Sequence, residues 1–177
     1  MGSKAEKMPR LALIVSRYNG AVTADLRAGA ERVYAARGGK RSGLDIFEAP
    51  GAFELSVLSS EAALTGRYAG VLALGCVIKG DTRHDEYINH ALAQGLTQAA
   101  VRTGVPIAFG VVTTENAKQA KDRAGGSAGN KGEEAMMALL DVVAELKAVR
   151  KGKPRGAGGG IEREVKDKTK GREKPQF

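Results

Sequence analysis

The sequence predicts an α/β protein, a three-layer α/β/α sandwich around a flavodoxin-like, four-stranded parallel sheet. Three observations carry that prediction. Short apolar runs alternate with longer stretches of helical period, the runs are apolar nearly throughout, and Gly or Pro marks the boundaries between them. A strand apolar on both sides is covered on both faces, which in a parallel sheet means right-handed helical crossovers.

The first strand is 11–15, Leu-Ala-Leu-Ile-Val, followed by the turn-like Ser16-Arg17-Tyr18-Asn19-Gly20. Over 21–37 the residues Val22, Leu26, Ala30 and Val33 recur at helical spacing, and Gly38-Gly39 ends that helix. A second strand at 44–49 stops at Pro50-Gly51, and a helix over 53–65 presents Leu55, Leu58 and Ala62 to a core. The third strand, 69–76, is the most apolar. The helix over 84–103 carries Ile88, Leu92, Leu96 and Ala99 on one side and closes at Gly104. A fourth strand follows at 107–113, then a polar helix at 115–124, a loop at 125–130 and a last helix at 131–148 burying Met136, Leu139, Leu140, Val143 and Leu146. No internal repeat is present.

A chain of 177 residues, 42% of them apolar, is enough for one domain with a real core. It contains no continuous apolar run of the ~18–20 residues a membrane helix needs. The lone cysteine, Cys76, excludes an internal disulfide, and residues 1–9 carry charge but no apolar stretch, unlike a secretory leader. The expectation is a cytoplasmic protein with a flexible segment 1–9, one domain at 10–149 and a Gly/Lys-rich tail at 150–177.

The net charge of +8 raises the question of nucleic acid. Residues 151–177 hold nine of the 28 basic side chains and four of the 20 acidic ones, so the tail carries +5 and the body only +3. With Ile161, Val165 and Phe177 as its only large apolar residues, the tail lacks the burial that would offset the entropy of ordering. It reads either as a solvated extension or as an electrostatic arm for a polyanion. Nothing in the body supports nucleic-acid binding.

In a sheet of this kind ligands bind outside the carboxyl ends of the strands. Every unusual stretch of the chain lies at such an end: Arg17-Tyr18-Asn19, Pro50-Gly51-Ala52-Phe53-Glu54, the run from Cys76 to His84, and Thr113-Thr114. In the third, Gly75-x4-Gly80-Asp81-Thr82 differs from a nucleotide-hydrolase phosphate loop by having Asp81 where that motif needs Lys. What remains is a glycine turn opening a helix, suited to a single phosphate.

His84 at that helix start is a candidate proton shuttle, although a histidine there is often a plain surface residue. His90, about 240° round the helix, is read as structural. Arg123 and Lys131 bracket a small-residue loop, which is either a solvated connection or a phosphate-binding pair. Tyr18, Phe53 and Phe109 are either ordinary packing aromatics or faces for a flat heterocycle. Cys76 reads as a small residue at the pocket floor. With one cysteine and two non-convergent histidines, neither a metal nor a cofactor is expected.

Five motifs together resemble the lumazine synthase family over roughly residues 10–148: Arg17-Tyr18-Asn19; Pro50-Gly51-Ala52-Phe53-Glu54; Gly75 through His84; Phe109-Gly110-Val111-Val112-Thr113-Thr114; and Arg123-Ala124-Gly125 with Gly129-Asn130-Lys131-Gly132. The resemblance implies condensation of 5-amino-6-(D-ribitylamino)uracil with 3,4-dihydroxy-2-butanone 4-phosphate. It further implies that Tyr18 stacks on the pyrimidine, that Ala52, Phe53 and Glu54 line the ring and ribityl site, and that Cys76, Val77 and Ile78 offer backbone groups. Asp81, Thr82 and Arg123 would bind the phosphate, His84 would transfer protons, Phe109 would reach in from a neighbouring subunit, and Lys131 would support the anionic end.

The family's partners would be small-molecule substrates, further copies in a pentamer or a shell of about 60 subunits, and riboflavin synthase. Ser56, Tyr18, Gly126-Ser127 and the basic tail depart from the family's commoner residues. Two other readings stand beside the enzyme: a flavin-binding relative without turnover, and a polyanion-binding or shell protein acting through its tail.

Overall fold

The computed structural model describes residues 8–153. Four parallel strands form the central sheet: β1 (Leu11–Ser16), β2 (Leu44–Ala49), β3 (Gly70–Ile78) and β4 (Ile107–Thr114), in the order β2-β1-β3-β4. β1 pairs in register with β2 from Leu11↔Leu44 to Ser16↔Ala49, and β3 pairs with β4 from Val71↔Ile107 to Ile78↔Thr114. The chain leaves β1 toward β2 and then returns across it to β3, so the switch point of the sheet lies between β1 and β3.

Alternation along each strand builds two cores. Leu11, Leu13 and Val15 join Leu72, Leu74 and Cys76 on one face, packed against Leu26 and Ala30 of α1 (Gly20–Ala36) and Met136 and Leu139 of α5 (Lys131–Arg150). Ala12, Ile14, Val71 and Ala73 turn to the other face, against Leu55 and Ala62 of α2 (Leu55–Leu64) and Leu92 and Leu96 of α3 (His84–Thr103). The expected three-layer architecture and parallel sheet are therefore present. α3 has the predicted bounds and ends at Gly104, whose φ of 68° is a backbone state glycine adopts without strain.

Several boundaries differ from expectation. The helix expected at 53–65 begins at Leu55, because residues 50–54 form a turn that buries Ala52 and exposes Phe53. The polar helix expected at 115–124 is the shorter α4 (Ala117–Asp122), capped by Asn116, whose side chain accepts from Gln119 N–H. The loop expected at 125–130 contains a small antiparallel hairpin of β5 (Ala124–Gly126) and β6 (Gly129–Asn130). A short 3-10 turn at Arg41–Gly43 leads into β2.

α5 runs to Arg150, inside the segment expected to be tail, where Arg150 donates to the Gly104 carbonyl. At the other end, Met8 packs on the first core and the Pro9 carbonyl accepts from Tyr34 Oη at 2.7 Å. The remainder of the expected tail, 154–177, and residues 1–7 lie outside the described residues.

Among the described residues no helix is long and apolar enough to cross a membrane. No group of His, Cys, Asp and Glu among them is arranged to hold a metal ion.

Candidate active site

The parallel sheet delivers its strand ends to one edge, and hydrogen bonds stitch those ends together. Arg17 N–H donates to Ala49 C=O at 2.8 Å, joining the ends of β1 and β2. Asn19 adopts a left-handed backbone (φ 56°, ψ 44°), a state that short polar side chains tolerate best. From there its Nδ2 donates to Cys76 C=O at 2.9 Å, joining β1 to β3. Beyond β3, Lys79 N–H donates to Thr114 C=O at 2.8 Å and Lys79 Nζ pairs with Glu115 at 3.0 Å.

A cleft of about 500 Å³ opens at this switch point. Nearly all of the predicted pyrimidine and ribityl residues line it: Tyr18, Ala52, Phe53 and Glu54 from the first two loops, and Cys76, Val77 and Ile78 from β3. Thr82 and His84 line it from the start of α3. Two aromatic faces stand open at its mouth, Tyr18 at 71% and Phe53 at 59% exposure. Asp81 is exposed in the same turn but is not part of the lining, and His90 is exposed on α3 away from it.

Cys76 is buried, and burial pushes its thiol up, away from the reactive thiolate. Its carbonyl already accepts from Asn19, leaving one lone pair for a ligand. Sequence reasoning gave no site role to Asn19, Asp85 or Ile88, which also line the cleft. Helical spacing from His84 is the signal that places Ile88 on the same face.

Besides Asp81, three predicted residues are not in this cleft. Phe109 lies on the edge strand β4, 37% exposed, beside Lys131 and Glu134 in a groove of about 210 Å³. Arg123 donates to Ala128 C=O and to Glu134 Oε2 at 3.1 Å, and Lys131 Nζ lies 3.3 Å from the same carboxylate. Burial alone would push the Glu134 carboxyl up, but the two cations outweigh it and hold the group below the usual range. The structure thus gathers most of the predicted ring and ribityl residues in one cleft and leaves a cation–aromatic cluster outside it.

Among the described residues, the lining of the cleft contains the carboxylates Glu54 and Asp85 and no Lys or Arg. The nearest cations of the third loop are engaged elsewhere, Lys79 with Glu115 and Arg83 with Glu86 at 2.7 Å. Thr82 and the free N–H groups opening α3 suit a phosphate, but the cleft supplies it no counter-charge.

A cavity of similar size, about 530 Å³, lies at the opposite edge of the sheet beside Pro9, Ala69 and Pro106. None of the predicted residues lines it.

A family model described as 6,7-dimethyl-8-ribityllumazine synthase matches residues 8–147. Among curated relatives of that name, the Caulobacter vibrioides protein (6,7-dimethyl-8-ribityllumazine synthase 1) is 46% identical over 142 residues, which is 80% of this chain and 93% of that one. Those of Chlorobium luteolum and Deinococcus radiodurans are each 42% identical over 142 residues, covering 80% of this chain and 92% of theirs.

Proposed function

Because the chain belongs to the 6,7-dimethyl-8-ribityllumazine synthase family, we propose that the cleft at its sheet switch point is one half of that enzyme's active site. The reaction is a transferase step of riboflavin biosynthesis. 5-Amino-6-(D-ribitylamino)uracil condenses with (S)-3,4-dihydroxy-2-butanone 4-phosphate to give 6,7-dimethyl-8-ribityllumazine, phosphate and water. An amine attacks the ketone, water leaves to form an imine, phosphate is eliminated, and the second amine closes the ring on the remaining carbonyl with loss of a second water.

In this reading the faces of Tyr18 and Phe53 hold the flat pyrimidine, with Ala52 as the wall beneath it. Glu54 accepts from ribityl hydroxyls, and the backbone of Cys76, Val77 and Ile78 pairs with the ring's polar edge. Thr82 and the N–H groups of the Asp81 turn hold the phosphate, and His84 passes protons between the reacting nitrogen, oxygen and carbon atoms.

One observation supports the composite nature of the site: among the described residues the cleft has no Lys or Arg in its lining, while Arg123 and Lys131 converge on Glu134 beside Phe109 outside it. A second copy presenting that cluster completes the site, with Arg123 forking onto the phosphate, Phe109 covering the ring and Lys131 raising the local positive potential. Such a contact is head-to-tail, and a head-to-tail contact whose rotation closes makes a ring.

The ring we propose is a pentamer. The short connection between Arg123 and Lys131 favours assembly of pentamers into a shell, with riboflavin synthase as the partner that consumes the product. In this reading the reaction takes place in the cytoplasm.

Arg123→Ala tests the assignment directly. The expected result is a rise of about tenfold or more in KM for the phosphate substrate, the loss of a charge-assisted fork, with KM for the uracil amine little changed. An unchanged KM for the phosphate substrate in a folded, assembled variant would remove Arg123 from the site.

A further inference from the structure

Glu134 sits in the first turn of α5, and both cations of the cluster beside Phe109 converge on its carboxylate. Arg123 Nη2 donates to Oε2 at 3.1 Å, and Arg123 Nη1 lies 3.0 Å from Oε1 while donating to Ala128 C=O. These contacts cover the end-on edge of the guanidinium, where Nη1 and Nη2 stand side by side. A guanidinium carries its five N–H groups in one fixed plane, so its side-on edge, Nε–H with the outer N–H of Nη2, is left over. Among the described residues nothing accepts from Nε. Two parallel N–H groups of this kind match two oxygens of one phosphate.

We propose that Glu134 is a positioning residue for the phosphate substrate: it holds the end-on edge of Arg123 so that the side-on edge is presented to the phosphate bound in a neighbouring copy's cleft. The assignment rests on the reading of the cluster given above. Arg123 follows the six-residue helix α4 and its side chain has many rotamers, so an unheld guanidinium would have to be ordered each time substrate bound. The start of α5 supplies the fixed point. Asn130 caps that helix, and Lys131 N–H donates to Arg123 C=O at 2.8 Å, so the backbone of Arg123 and the carboxylate that holds its head are tied to the same helix start. Lys131 Nζ, 3.3 Å from that carboxylate, keeps the cluster cationic.

The test is steady-state kinetics of Glu134→Ala, Glu134→Asp, Arg123→Ala and the double variant Glu134→Ala/Arg123→Ala, with each substrate varied in turn. Thermal unfolding and assembly mass are measured on each variant. Glu134→Ala should raise KM for the phosphate substrate about fivefold, the cost of immobilising one rotamer-rich side chain, with kcat and KM for the uracil amine within about twofold of the parent. Removing a negative charge beside a phosphate would by itself lower that KM, so a rise isolates the positioning. Glu134→Asp keeps the charge but withdraws it by a methylene, and should raise the same KM about threefold. Because Glu134 acts through Arg123, its removal from the Arg123→Ala chain should add no further rise.

A KM for the phosphate substrate within about twofold of the parent, or lower, in both Glu134 variants, while Arg123→Ala raises it, would overturn the assignment and leave Arg123 in the site. If Arg123→Ala also changes nothing, the cluster lies outside the site and the assignment falls with that reading. A further rise in the double variant would show Glu134 acting by itself, and an equal rise for both substrates would show a general loss of the site; either overturns the proposal. So would a lowered Tm or a smaller assembly with unchanged KM, which makes Glu134 a residue of stability or of a contact between copies. If Glu134→Ala does not fold, Glu134→Asp decides alone.

Discussion

His84 opens α3 with its ring exposed at the cleft wall. Every step of the condensation moves a proton, and imidazole exchanges protons near neutral pH. The carbon skeletons are already reactive, so holding the two substrates in register supplies much of the rate. His84→Ala should therefore lower kcat by about 10²-fold, the low end of what a positioned acid–base group contributes, and still exceed the spontaneous reaction. The fluorescence of the lumazine product reports this, and a folded, substrate-binding variant with no acceleration at all would contradict it. Residues such as His84, Phe53 and Thr82 were legible in the sequence because a parallel sheet must bring its strand-end loops to one edge. The part Asn19 plays in joining β1 to β3 was not, because it comes from a left-handed backbone that the loop's composition alone does not show.

The elements that periodicity identified are those held by burial. The four strands and the long helices α1, α3 and α5 keep apolar residues in step with their own geometry, and their cores are the two faces of the sheet. The β5–β6 hairpin has no such pattern; its five described residues in strands are Ala, Gly, Gly, Gly and Asn. Its position depends instead on Asn130, which is 5% exposed and uses every hydrogen-bonding site it has. Oδ1 accepts from the N–H groups of Gly132 (2.8 Å) and Glu133 (3.2 Å), capping α5, while Nδ2 donates to the carbonyls of Asp25 (2.9 Å) in α1 and Ala124 (3.1 Å). The approach of α1 and α5 leaves no room for adjustment, because a Cβ on Gly132 would overlap the Leu26 carbonyl. Asn130→Asp keeps the cap but turns a second acceptor toward two carbonyl oxygens. It should destabilise the fold by about 2–3 kcal/mol, read as a lower midpoint in denaturant with an unchanged slope. Since Arg123 and Lys131 flank the hairpin, the same variant should weaken binding of the phosphate substrate.

At the scale of the whole molecule, the proposed site is split. Sequence order shows that Arg123 and Lys131 lie beyond the fourth strand, but not which side of the molecule they reach. That depends on α4 and the hairpin, which packs against α1 and α5 and turns Arg123 onto Glu134, in the neighbourhood of Phe109, exposed on the edge strand β4. One chain alone therefore holds an acceptor-rich cleft and, apart from it, two cations occupied with Glu134. Two defective chains should then repair each other. A His84→Ala protomer retains the cation cluster, and an Arg123→Ala protomer retains an intact cleft. In a randomly mixed ring with head-to-tail contacts, about a quarter of the junctions pair the intact cleft with the intact cluster. Each variant is assayed at a concentration of the phosphate substrate well below the KM of Arg123→Ala, where both are nearly inactive. Co-refolded at equal amounts, they should then recover about a quarter of the parent activity, against a control mixed without dissociation that recovers none. Activity equal to the mean of the two separate variants would mean that each chain completes its own site, and the cluster beside Phe109 would need another role.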